Sequence, residues 1–163
     1  MLPELPPKKN APLRVLPQTA KPAQRRTTIF VGTLSPSCPR NEFSMTVYDE
    51  DSDDPIRSQW YIDPETNYEP TPDRPVFTGN PIFGGTSVTR EVTAPNAMLT
   101  FLASLKDGNE HIVEGWVTDS EFVQDAPPTQ VFRPPRTLAD GTEVMDTPYT
   151  DFNVWVVKVE NCQ

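Results

Sequence analysis

Three sets of residues in this chain could do chemistry. The first is acidic. Five of the six residues from Asp49 to Asp54 are carboxylates, and Asp119 lies far along the chain. Calcium is a hard cation that takes six to eight oxygen ligands, so aspartates on a turn suit it. Asp49, Asp51, Asp53, Asp54 and Asp119 are the candidate ligands. The run lacks the spacing of an EF-hand loop, where a glycine stands sixth and a glutamate twelfth. Counted from Asp49, those places hold Asp54 and Trp60. The plain alternative is a solvated turn. The second set is Cys38 and Cys162, which bracket most of the chain. A disulfide between them would staple one domain end to end, and it would need an oxidising compartment. In the chain-entropy view, closing so long a loop gives about 5 kcal/mol. No Cys-x-x-Cys and no Cys/His cluster is present, so zinc is not expected. The third is His111, the only histidine. At the start of a strand, a partly exposed structural role is the ordinary one. No GxSxG, GxxxxGK[ST] or HExxH pattern accompanies it, and nothing selects a pair of carboxylates for glycoside hydrolysis. The chain does not read as an enzyme, and calcium is the only cofactor its residues suggest.

The elements that would position these residues are mostly strands. Prolines number 20 in 163 residues, against about 5% in average proteins, and so many breaks exclude a helical bundle. Apolar runs reach only about four residues, where a membrane helix needs about 20. Thr27–Val31 is rich in β-branched residues and predicts a strand. Phe43, Met45 and Val47 alternate with Ser44, Thr46 and Tyr48, and Ile56, Ser58, Trp60 and Ile62 alternate with Arg57, Gln59 and Tyr61. This is the period of half-buried strands. Residues 86–93, 110–118 and 152–159 read the same way. Residues 97–105 could be strand or helix. Two long connections, 63–85 and 124–150, are rich in proline, and the first has room for an edge strand at Val76-Phe77. Seven or eight short strands with turns between them point to an all-β, antiparallel sandwich.

Charge divides the chain. Residues 1–26 hold six basic residues, Lys8, Lys9, Arg14, Lys21, Arg25 and Arg26, against Glu4, for a net +5. The whole chain is −9, so the other 137 residues carry −14. Residues 1–26 are expected to be a proline-rich arm or linker, in polyproline II or coil. Residues 27–163 are expected to be one acidic domain. An acidic body excludes nucleic acid as the main partner, since phosphate binding needs clustered lysine and arginine. The arm, through Arg14, Lys21, Arg25 and Arg26, is a candidate contact for other protein subunits.

The stretch Phe43-Ser-Met-Thr-Val-Tyr-Asp49-Glu-Asp51-Ser-Asp53-Asp54-Pro-Ile-Arg-Ser-Gln-Trp60 joins a strand, an aspartate-rich loop and a strand with a tryptophan. Later comes His111-Ile-Val-Glu-Gly-Trp-Val-Thr118-Asp119. Together they resemble the bacterial extracellular immunoglobulin-like domains of the PKD and cadherin-like kind, over about a fifth of the chain. The long proline-rich insertions depart from that compact pattern. The resemblance implies an immunoglobulin-like sandwich, as in cell-envelope lipoproteins, with Trp60 in the core. In such a sandwich the loops after the second and sixth strands share one end, so Asp119 would stand near Asp49, Asp51, Asp53 and Asp54. Trp116 shares a strand face with Glu114 and Ile112. It is either an exposed interaction residue or covered by one of the long loops.

The expected role is a non-enzymatic structural or interaction module of the bacterial cell envelope, in the periplasm or on the outer-membrane surface. It would meet a membrane only through an anchor outside this sequence. The alternative is a structural subunit of a virion or sheath-like particle assembled in the cytoplasm, whose N-terminal arm wraps a neighbour.

Overall fold

The computed structural model describes residues 9–32, 35, 38, 42–64, 68–72 and 74–162. Strands dominate. In chain order they are β1 (Arg14–Lys21), β2 (Arg26–Val31), β3 (Ser44–Tyr48), β4 (Arg57–Ile62), β5 (Phe77–Thr78) and β6 (Thr89–Thr93). The helix α1 (Asn96–Ala103) follows, then β7 (Glu110–Thr118), β8 (Glu121–Phe122), β9 (Val131–Phe132), β10 (Arg136–Thr137), β11 (Glu143–Val144) and β12 (Thr150–Asn161). A three-stranded sheet has the order β1-β3-β6 and a five-stranded sheet the order β2-β12-β7-β4-β5. Pairings in both are antiparallel except one: β2 runs parallel to β12. The pairs β8–β9 and β10–β11 are small separate ladders between β7 and β12.

Alternation sets which side chains meet between the sheets. β3 contributes Met45 and Val47, with Phe43 just ahead of it; β4 contributes Trp60, and β7 contributes Val113 and Val117. β12 contributes Trp155, Val157 and Val159. Trp60 and Trp155 stack with ring centroids 5.9 Å apart, and the Phe43 ring meets Trp155 edge-on at 5.4 Å. Aromatic pairs in these geometries add about 0.5–1.5 kcal/mol each beyond the area they bury. Gly115 faces this cluster because nothing larger fits: a Cβ there would stand 2.6 Å from Trp60 Cζ3.

The ambiguous segment after residue 96 is a helix. Pro95 caps its start in extended conformation, and Met98 and Leu102, one turn apart, bury against the core. Alanine, methionine and leucine favour that outcome.

The proline-rich segment differs from its expectation. Arg14–Lys21 is not polyproline II or coil but a strand paired with β3. Leu13, Val15 and Ala20 are buried, which gives the strand an apolar face. Pro17 is tolerated because β1 is an edge strand and its register slips between Leu16 and Lys21. Thr19 fills the gap: its hydroxyl accepts the Thr46 N–H at 2.9 Å and donates to the Leu16 carbonyl at 2.6 Å. Lys8 and the residues before it lie outside the described residues.

Candidate functional site

β3 ends where β4 begins, and β7 ends beside the start of β12, so three loops gather at one end of the domain. Asp49, the first residue after β3, is fully buried; its N–H donates to the Val88 carbonyl and its Oδ1 accepts the Asp51 N–H. Asp119 follows β7 directly. Its Oδ1 accepts Ser120 Oγ at 2.7 Å and the Tyr149 N–H at 3.1 Å, and its Oδ2 accepts Asn10 Nδ2 at 2.7 Å. Carboxylate oxygens of Asp49, Asp54 and Asp119 all lie within 4.8 Å of one another. Two other members of the acidic run do not join them. Asp51 turns toward the N-terminal segment, where its Oδ2 accepts the Ala11 N–H at 2.8 Å. Asp53 is exposed.

Two guanidinium groups balance this cluster. Arg90, 5% exposed, donates to the Asp54 carbonyl and to the Ile82 carbonyl, and lies 3.9 Å from Asp49 Oδ2. Arg133 donates to Asp54 Oδ1 at 2.8 Å and to the Asp119 carbonyl at 3.2 Å. Its Nε lies 3.7 Å from Asp146, which Arg136 holds with two hydrogen bonds of 2.6 and 3.1 Å. Burial pushes the Asp49 carboxyl up to about 6; the Asp51 amide and Arg90 pull it down, while the charges of Asp119 and Asp51 add to the rise. Three buried oxygens here, Asp49 Oδ2, Asp54 Oδ2 and Asn10 Oδ1, accept no hydrogen bond from the described residues.

Cys38, Cys162 and His111 lie at the other end of the five-stranded sheet. Cys38 and Cys162 form the expected disulfide, with Cα atoms 5.7 Å apart and a sequence separation of 124. His111 is buried rather than partly exposed. Its Nδ1 is 2.7 Å from Asp63 Oδ2 and its Nε2 is 2.9 Å from Asp107 Oδ1.

Trp116 lies on the outer face of the five-stranded sheet, yet it is only 7% exposed. It is covered and does not present an exposed interaction surface. Phe152 stacks on it at 4.3 Å from the neighbouring strand, and Tyr68, from the first long connection, meets it edge-on at 6.4 Å. Glu114 Oε1 accepts both the Trp116 indole N–H and the Tyr68 hydroxyl. Arg14, Lys21, Arg25 and Arg26 are exposed. Arg14 lies over the Tyr48 ring at 5.0 Å, and Arg26 is 3.4 Å from Glu110.

Asn10, Arg90, Arg133 and Asp146 were not singled out from sequence. They come from four separate segments, and no local spacing connects them to the acidic run. No family model, curated protein or solved structure matches this chain.

Proposed function

We propose that this chain is an immunoglobulin-like β-sandwich serving as a non-enzymatic structural or interaction module of the bacterial cell envelope, a lipoprotein-like part of a larger surface assembly or adhesion system. The strand order supports the immunoglobulin-like reading. Two sheets face each other, and the first segment of the chain is shared between them: β1 pairs with β3 in one, and β2 runs parallel to the last strand in the other. The observation that carries the export reading is the Cys38–Cys162 bond. Such bonds form and persist where the environment is oxidising. The single histidine supports a non-enzymatic role, because both its ring nitrogens face carboxylates and neither is open to a substrate. β1 pairs within its own chain, which does not favour the alternative of an arm wrapped around a neighbouring subunit.

The test is cell fractionation with intact mass under non-reducing conditions, with and without thiol alkylation. The expected result is an envelope-associated protein with no alkylated cysteine. Cytoplasmic protein carrying two alkylated cysteines would overturn the reading.

A second reading concerns calcium at the acidic end. The buried oxygens of Asp49, Asp54 and Asn10 that accept no hydrogen bond from the described residues favour it. Asp119 would complete the set. Arg90 and Arg133 already neutralise part of the charge, so the ion would compete with them for the same carboxylates. A ligand that binds only the native state stabilises it by about 2.7 kcal/mol at a hundred times its Kd. Melting in excess calcium should therefore exceed melting in chelator, and identical melts would end this reading.

A further inference from the structure

His111 carries an arrangement that the proposed role does not use. The residue is 7% exposed and falls on the same face of β7 as the core residues Val113 and Val117. Both ring nitrogens sit at hydrogen-bond distance from carboxylates, 2.7 Å to Asp63 and 2.9 Å to Asp107. An ionised carboxylate only accepts hydrogen bonds. A neutral imidazole has one N–H, so it can satisfy one of these partners and turns a lone pair toward the other. Only the doubly protonated ring satisfies both.

The two carboxylates come from different segments, one just beyond β4, the ladder neighbour of β7, and one from the turn ahead of β7. Asp63 is the residue after β4, in left-handed conformation with φ 50°. Its N–H donates to the Ile112 carbonyl at 2.9 Å and its Oδ1 accepts the Ile112 N–H at 2.8 Å. Asp107 belongs to the turn between α1 and β7, where its Oδ1 also accepts the Asn109 N–H at 2.9 Å. On the β12 side the register partner of His111 is the apolar, buried Val157. The charged residues nearest in sequence are engaged elsewhere: Glu110 with Arg26, and Lys106 with the Asn161 side chain.

We propose that His111 is a proton-operated latch, which ties the loop after β4 to the turn after α1 while its ring is doubly protonated and releases them when it loses a proton. Burial alone pulls the imidazole pKa down, but the hydrogen bonds and charges of Asp63 and Asp107 outweigh it and leave the group above its ordinary value. The Asn109 amide first, and then the hydrogen bond from His111, hold Asp107 below the usual carboxylate range. The sign follows. A group whose folded pKa is raised contributes stability that is complete below the unfolded value, about 6.5, and is lost as pH rises through the folded value. The latch is closed in mild acid and opens on the alkaline side.

The experiment uses the intact, disulfide-bonded protein. A single histidine means a single set of imidazole signals, so nitrogen-15 NMR reads the latch without assignment ambiguity. The expected result is two protonated ring nitrogens in mild acid and a titration midpoint above 6.5. Amide-exchange protection at Asp63 and Ile112, corrected for the intrinsic pH dependence, should fall about tenfold or more across that midpoint. Asp63→Asn and Asp107→Asn should each move the midpoint back toward the ordinary value. A midpoint at or below 6.5 would overturn the proposal. So would protection at Asp63 and Ile112 that stays flat through the titration of the parent protein, a readout that needs no variant to fold.

Discussion

Gly115 offers a direct test of how tightly the two sheets close. A methyl group added there would stand 2.6 Å from Cζ3 and 2.9 Å from Cη2 of Trp60, and 3.0 Å from Cε of Met45. Ordinary contact begins at 3.4 Å, so the indole must retreat by nearly 1 Å. It has little room to move, because it is stacked with Trp155 and both rings are fully buried. Overpacking of a filled core costs about 1–3 kcal/mol, and the rigid indole stack puts Gly115→Ala toward the upper part of that range. Replacing glycine also restricts the unfolded chain, which returns about 0.4–1 kcal/mol. The net expectation is a loss of about 2 kcal/mol. For a domain of this size, each kcal/mol moves Tm by about 2–4 °C, so the variant should melt about 4–8 °C lower. The assay is thermal unfolding followed by near-ultraviolet circular dichroism, which reads the tryptophan pair itself. In a Trp60→Leu background the same substitution should cost much less, since of the close contacts only the flexible Met45 methyl at 3.0 Å remains. A Gly115→Ala variant as stable as the parent would refute the reasoning, as would an undiminished cost in the Trp60→Leu background.

Other expectations follow from the two ends of the domain. Cys162→Ser removes a bond spanning 124 positions; the chain-entropy relation sets the loss at no more than about 5 kcal/mol, and urea unfolding should show a loss of several kcal/mol that reductant also produces in the parent. Arg133→Met leaves Asp54 and Asp119 without their cation in a mostly buried setting, and such a broken pair costs about 3–5 kcal/mol; a change below about 1 kcal/mol would show that solvent already screens the cluster. The carboxyl of Asp49 is raised to about 6 in the folded chain, so the native state takes up a proton that the unfolded chain, near 3.9, does not. Stability should therefore fall as pH rises from about 4 to about 6. In chelator, Asp49→Asn should flatten that part of the Tm-against-pH curve, and an unaltered slope would remove Asp49 as its source.

The long strands were legible because one face of each is buried. Met45 and Val47, Trp60 and Ile62, and Trp155 and Val157 keep period two, and each turned out to face the core. The disulfide was legible from position, while the approach of Asp119 to Asp49 and Asp54 followed only from the loop arrangement that the resemblance implied, which also placed Asp51 and Asp53 there. β1 was hidden by its prolines: composition over residues 1–26 says coil, while the buried Leu13, Val15 and Ala20 are too few and too unevenly spaced to announce a strand. The fate of Trp116 could not be read from its own strand, because its cover comes from Tyr68, 48 positions earlier. The same holds for Arg133, which reaches Asp54 across 79 positions, and for His111, whose partner Asp63 is 48 positions away. Side-chain pairs at that separation depend on which strands become neighbours, and local spacing carries no trace of it.

The covalent bond between Cys38 and Cys162 also decides how the molecule responds to being pulled. Tension entering ahead of β1 and leaving past Cys162 passes from residue 38 directly to residue 162. The backbone of the 123 residues between them is bypassed as a covalent path. What is loaded is the pairing of the segment ahead of Cys38: β1 against β3, and the parallel seam of β2 and β12, whose residues run from Arg26 beside Val156 to Val31 beside Asn161. Because the pull acts along those strands, the seam must slide as a whole and cannot open one rung at a time. If it gives way, only the 37 residues ahead of Cys38 pay out, at most about 130 Å at 3.3–3.6 Å per residue. Without the bond, the 162 residues up to that point could run out to about 550 Å. Oxidised, the chain is a short tether with a fixed stop.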